Sequence, residues 1–433
     1  HLVLRDGWGP DSTWIQLACG PYFAKHDHLD AAHLVVYRKG YLAIDAGADY
    51  TDTESPHYLN HYRRSVAHNT LLVYQPGEPF FWSENRWPAA NDGGQRMDSS
   101  RFWNSVRSLE DWRRTRDLWD RCRMSPVAAE PEYRYARADA TRAYQPSKVD
   151  RFTRELVHLR ASNVLVVLDR VRATDASYRK AWLLHGVSKP RVEGEAAGVG
   201  VGHGGTSYRE ANLVTFEDGQ GRLRVHPLLP REREVIVRGG PGFEFWTPGD
   251  ERGGAWGSGQ DWPLDPPEGG PLPEDPHLRK MWTTFWDGIE QLSPSNRRAV
   301  VPGGWRMETS PATPQNEDVF VHALEIGDRG AGTRRVSAVE GHALAGAAIE
   351  GDAVVLFADG GLTEGEATLP DVSTRSLLLA GLEPGAAYEI QVTSGFAPGA
   401  PVWRSTAEAG EESTMRLPWE GVRDGRLRLR RLR

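Results

Sequence analysis

A chain of 433 residues, 39% apolar and 26% charged, is long enough for two or three domains and has the composition of a soluble globular protein. It contains no run of about eighteen apolar residues, which excludes a membrane-spanning helix. A net charge of −7 argues against nucleic acid as a partner and makes any binding of an acidic polymer depend on a local basic patch.

Two cysteines, Cys19 and Cys122, allow one disulfide or none. The chain starts at His1 with neither an initiator Met nor a signal sequence, so it reads as a mature product or as the C-terminal part of a longer protein. In chain order, the first chemical signal is His26-Asp27-His28. Side chains at i and i+2 of a strand share a face, so the two imidazoles point together. Leu34–Tyr37 and Tyr41–Asp45 then flank Arg38-Lys39-Gly40, a hairpin with Gly at the turn. If that loop is symmetric, Tyr37 pairs with Tyr41 and His33 comes opposite Asp45, which makes His33 a rival to His28 as its partner; a bulge would change the count. His68 follows in Val66-Ala67-His68-Asn69-Thr70. Histidines with an aspartate are what a divalent-metal site, zinc above all, is built from, and also what acid–base chemistry uses.

Downstream, Asp98–Arg123 reads as the chief helix, because Trp112 and Trp119 lie seven residues apart on one helical face. Its Arg113, Arg114, Arg116, Arg121 and Arg123 form either a polyanion patch or the solvated face of an amphipathic helix, the latter being the more ordinary outcome. Asn91–Arg96 reads as a polar, flexible turn that could border a cleft. Strands are expected at Leu156–Leu159, Val164–Leu168, Leu213–Phe216, Leu223–Val225, Val235–Val237, Ala353–Phe357, Ser376–Leu379 and Tyr388–Val392, with a long Gly/Pro loop over 239–276. Arg426–Arg433 alternates Arg with Leu and reads as an edge strand or tail. Many short strands punctuated by Gly and Pro predict an all-β protein, a large antiparallel β-sandwich over 1–330 with a smaller β domain over 331–433.

Three blocks in this order resemble the heparinase II/III-like polysaccharide lyases: Gly20…His26-Asp27-His28-Leu29-Asp30, Gly40-Tyr41-Leu42-Ala43-Ile44-Asp45-Ala46-Gly47, and Tyr62-Arg63-Arg64-Ser65-Val66-Ala67-His68-Asn69-Thr70. Within the family the chain looks most like heparinase II and other broad-specificity glycosaminoglycan lyases, with alginate lyases of the same architecture as an alternative. The resemblance implies a supersandwich-like fold. It implies His28, Asp45 and His68 as ligands of a divalent metal, usually zinc, and so favours His28 over His33. It implies His26 as the catalytic group in proton transfer, and places Tyr62 (or Tyr58) and Asn69 at the substrate side. In the family an N-terminal helical toroid forms the other wall of the cleft, and this chain has no room for one ahead of His26.

What the resemblance implies is β-elimination at a uronic acid in an acidic polysaccharide, with the helical region of a parent protein as partner, room for a homodimer, and a secreted or periplasmic location. The competing classes are a non-catalytic carbohydrate-binding module that keeps its metal as a staple, and a metal hydrolase.

Overall fold

The computed structural model describes residues 1–23, 27–48, 57–82, 87–97, 106–201, 204–248, 259–263, 303–394, 401–419 and 424–432. Among these, the chain is all-β and stacks three large sheets, with two further two-stranded ones, Phe80–Trp82 with Trp87–Ala89 and Trp246–Thr247 with Gln260–Asp261. A four-stranded antiparallel sheet runs Leu2–Arg5, Trp14–Leu17, Leu34–Tyr37, Tyr41–Ala43 in sequence order. A twelve-stranded sheet takes Leu71–Tyr74 and the strands from Arg123–Ala129 to Glu317–Asp328 except Trp246–Thr247 and Gln260–Asp261. A nine-stranded sheet uses only strands from Val336 onward.

The layering follows from strand periodicity. Successive side chains point to opposite faces, and in the centre of the large sheet both faces are apolar. Leu156, Leu165, Val167 and Leu324 pack with Ile15, Leu17, Leu34, Val36 and Leu42 of the small sheet. Their neighbours Val157, Val164, Val166 and Val321 pack on Ala347, Ile349, Val355, Phe357 and Leu378 of the nine-stranded sheet. Apolar runs such as Val164–Leu168 are therefore strands buried on both sides. Burial of this kind contributes roughly 1.5–3 kcal/mol per large side chain.

The predicted hairpins form with the expected turns: Leu159 pairs with Val164, and Asp218 with Gly221. Three expectations change. The stretch expected as one helix is two short ones, Leu109–Arg114 and Arg116–Trp119, with Thr115 between them, and Arg123 already begins a strand. Trp112 and Trp119 do meet, stacked at 3.8 Å, and residues 98–105 lie outside the described ones. The Gly425–Arg431 strand is interior rather than an edge: it lies between Ala387–Ser394 and Glu364–Leu369, with Leu427 and Leu429 buried. Of the 239–276 loop, Trp246–Thr247 pairs with Gln260–Asp261, and residues 249–258 and 264–276 lie outside the described ones.

Cys19 and Cys122 are joined across a sequence separation of 103, tying the small sheet to the start of Arg123–Ala129 at one edge of the large one. Loop-closure entropy over that span predicts a loss of about 3–5 kcal/mol on removing the bond. The check is urea unfolding of the protein with and without reductant, and of a Cys19→Ser/Cys122→Ser variant. Coincident curves would show that the bond adds nothing.

Candidate metal centre

The Tyr37–Tyr41 hairpin begins with the predicted pairing and then slips: Val36 pairs with Ala43, so Leu42 is a bulge residue. This shifts the count by one and takes Asp45 out of register with His33, as a bulge must. Asp45 instead meets His28 and His68. His68 Nδ1 lies 2.7 Å from Asp45 Oδ1, and His28 Nδ1 lies 3.9 Å from Asp45 Oδ2. One ligand atom from each of the three residues falls within 4.8 Å of the others. His26, the expected proton-transfer residue, lies outside the described residues.

The donor set fits a metal ion. Two ligands each about 2.0–2.1 Å from a tetrahedral zinc sit roughly 3.4 Å apart, and the two observed separations fall on either side of that. Asp45 Oδ1 and both ring nitrogens of His68 are buried and make no hydrogen bond of good geometry among the described residues. Buried polar atoms are normally satisfied; the two ring nitrogens of one imidazole point apart, so only one of the His68 pair can face an ion shared with His28 and Asp45. Two imidazoles and a carboxylate are a zinc-type set. Charge adds to the case. Burial would raise the Asp45 carboxyl, but His68, His33 and His28 around it outweigh this and hold it down to about 2. Burial would lower His68, yet the Asp45 carboxylate brings it above its ordinary value. His33 behaves oppositely: burial and the charge of His68 push it down to about 3, so it stays neutral.

The positions of the ligands are set from below. Asn69 is completely buried, and its whole amide is used on the scaffold. Its Nδ2 donates to the carbonyls of Leu34 and Ile44 at 2.8 and 3.0 Å, and its Oδ1 accepts the His185 amide at 2.7 Å. Its own backbone N–H donates to His33 Nδ1 at 2.8 Å. Asn69 thus pins the strand that leads to Asp45 against the segment that carries His68, and it faces the scaffold rather than a substrate. Asn91–Arg96, expected as a flexible turn, is a buried brace. Asp92 pairs with Arg64 at 2.7 Å with both side chains fully buried, and it accepts the Val66 amide. Gln95 holds Ala31 through both its amide atoms. Gly93 has φ +76, a left-handed conformation that a side chain disfavours. Gly47 is held at φ +110, and a Cβ there would stand 2.7 Å from Tyr62 and 2.8 Å from His57.

Tyr62 and Tyr58 both belong to one π-helical turn, Tyr58–Tyr62. Tyr58 is fully buried, whereas Tyr62 is half-buried and sets its ring edge-to-face with His28 at 4.7 Å. Beside the ligands, a cavity of about 200 Å³ is lined by Asp27, His28, Asp30 and Arg121. Asp30 was not singled out from the sequence, although it continues the same alternation as His26 and His28. Burial, with Asp45 and Asp27 adding to it, raises its carboxyl to about 6 despite the opposing pull of His68. The arginines of the 109–123 segment are largely engaged: Arg114 with Asp111, Arg116 and Arg123 with Asp120, and buried Arg121 with the carbonyls of Leu118 and Arg96.

No curated protein matches the chain. Solved structures similar to it include a heparan sulfate lyase HepC mutant from Pedobacter heparinus (TM-score 0.44, 12% identity, 84% of this chain and 39% of that one). A heparinase III gene product with methylated lysines (TM-score 0.44, 10% identity) covers 96% of this chain and 40% of its own, and another heparinase III covers 84% and 39% at TM-score 0.42 and 11% identity. The chain spans about 40% of the length of these proteins. The comparisons do not separate heparinase II from the rest of the family. The family model described as heparinase II/III-like, C-terminal, matches residues 2–234, more than half of the chain, and on that match the protein belongs to the heparinase II/III-like family through its C-terminal β domain.

Proposed function

We propose that this chain is the metal-bearing β region of a polysaccharide lyase acting on uronic-acid polymers, glycosaminoglycans first among them, by β-elimination. The observation that carries the reading is the convergence of His28, Asp45 and His68 beside a cavity edged with ionisable groups, in a chain of a lyase family.

The reaction removes the C5 proton of the uronate. Its electron pair forms the C4–C5 double bond, and the C4–O glycosidic bond breaks as the leaving oxygen takes a proton. The C5–H is acidified only if charge on the neighbouring carboxylate is neutralised. His26 sits two residues before His28 in the sequence and is assigned the proton transfer, since an imidazole serves as acid or base near neutral pH. Tyr62, half-buried against His28, is assigned to the substrate side, and Asn69 to positioning. Zinc held by His28, Asp45 and His68 would supply Lewis acidity when bound. Its larger part in this reading is to fasten the segment carrying His26 and His28 to Asp45 and His68. A disulfide between Cys19 and Cys122 supports a location outside the cytoplasm.

The test is ultraviolet absorbance of the unsaturated uronate when the chain, alone and within its full-length parent, is incubated with heparan sulfate, chondroitin sulfate, hyaluronan and alginate. His26→Ala is expected to lower turnover about 10²–10⁴-fold with zinc content and melting temperature unchanged. Cleavage without the double bond would make the protein a hydrolase. Binding without cleavage in both forms would make it a carbohydrate-binding module with a structural metal.

A further inference from the structure

Away from the ligands, a groove of about 490 Å³ opens where the Arg123–Ala129, Tyr133–Asp139, Val149–Leu159 and Val164–Ala173 strands end. Six arginines and three aspartates line it, and Asp117, Asp359 and Glu317 outside the lining pair with three of those arginines. Arg121 lines both this groove and the cavity beside His28, so one side chain separates the two depressions.

Strand parity explains the cluster. Arg137 continues the face of Tyr133 and Tyr135, Arg151 and Thr153 that of Val157, and Arg172 that of Leu168, all on the side that carries the nine-stranded sheet. The groove lies where that sheet ends, at Asp359, which pairs with Arg151 at 2.6 Å. Most of its arginines have protein carboxylates: Arg123 and Arg142 share Asp120, and Arg172 takes Glu317. Two features remain unexplained by the fold alone. Arg137 has no carboxylate within ion-pair distance among the described residues. Thr153 lines the groove at 2% exposure, and its buried hydroxyl has no hydrogen-bond partner among the described residues. Arg151 and Arg172 stand directly opposite each other on paired strands, and Asp359 and Glu317 offset that like-charge contact. An anion against Arg137 and Thr153 would answer both, since guanidinium forks suit sulfate and carboxylate oxygens and a hydroxyl completes such a site.

We propose that this groove is an anion subsite that holds a sulfate or carboxylate group of a saccharide chain extending past the metal-side cavity. Only the saccharide's identity rests on the lyase reading; the subsite is independent of turnover.

The probe is a fluorescent heparin octasaccharide, bound to the full chain and followed by anisotropy at several salt concentrations. Arg137→Ala is expected to weaken binding about tenfold and to reduce the slope of log Kd against log salt by about one. Thr153→Val should weaken it about threefold, and Arg137→Lys should retain most of the affinity. Arg114→Ala, exposed and paired with Asp111, should change nothing. In a His68→Ala background the same Arg137→Ala loss should appear, so a failure of the lyase reading leaves the binding result readable. Wild-type affinity in Arg137→Ala with an unchanged melting temperature would overturn the proposal. So would displacement of the octasaccharide by millimolar inorganic sulfate, which would make the groove a site for free oxyanions only.

Discussion

His68→Ala is expected to lower zinc affinity by more than about 100-fold, because changing groups that merely orient a ligand already costs roughly 10–100-fold. His68 is the fully buried member of the three, and its two nitrogens have no other partner among the described residues. At a zinc concentration about 1,000 times Kd, the wild type gains about 4 kcal/mol of stability, which a chelator removes. The variant should show neither the gain nor the chelator response. Bound zinc measured by mass spectrometry, together with melting curves taken with and without chelator, checks both. Zinc retained at full stoichiometry in His68→Ala and His68→Gln would remove His68 from the site.

The pH dependence follows in sign. Without metal, Asp45 is depressed to about 2, so its contribution is present above the ordinary carboxylate range and lost as pH falls towards that value. His68 is raised, so its contribution is complete below the ordinary imidazole pKa and lost as pH rises through its folded value. Zinc needs a neutral imidazole, so binding displaces the His68 proton. Zinc affinity should therefore climb with pH and level off above the folded pKa of His68, while the metal-free pair weakens over that interval. Titration of zinc affinity between pH 5 and 9 reads this directly, and a flat profile would contradict it.

Arg154→Met is expected to cost about 3–5 kcal/mol, the range for stranding one partner of a buried ion pair. Arg154 and Asp169 are both fully buried and make two parallel bonds at 2.7 and 2.9 Å. The remaining guanidinium nitrogen, Nη1, donates to the carbonyls of Ala32 and Asn69 at 2.6 Å each. This one side chain therefore anchors the segment next to His68 on the large sheet. Zinc affinity should fall about 10–100-fold in the variant, as for a lost supporting contact. In Arg154→Met/Asp169→Leu, apolar replacement of both partners should recover most of the stability. The carbonyl anchors stay absent, so zinc affinity should remain low. Urea unfolding and chelator competition separate the two effects. If zinc affinity recovered along with stability, the anchoring role would fail.

Much of the fold was legible because strands and turns are local. The Leu159–Val164 hairpin is specified by residues close in sequence, and so is the Tyr37–Tyr41 pairing. The interior place of Gly425–Arg431 was not legible, since its Arg/Leu alternation describes one wet and one buried face equally well for an edge or a central strand. The 109–123 segment carried a helical spacing of two tryptophans, yet its chain breaks at Thr115 and turns into a strand that the large sheet captures. Arg154 gave no signal at all, because its importance lies in carbonyls 85 and 122 residues away.

By itself, then, the sequence determined the strand-rich class, the hairpin turns and the chemical types at the site: two histidines and an aspartate in blocks that resemble one family. Strand counting left open which histidine faces Asp45 and only the family resemblance favoured His28; tertiary structure gives the physical reason, a single bulge at Leu42 that shifts the register by one residue. It also decided that Asn69 and most of Asn91–Arg96 are buried supports, and which arginines pair with protein carboxylates. Periodicity is set by neighbours along the chain, whereas burial and ion pairing are set by whichever distant strand is placed alongside.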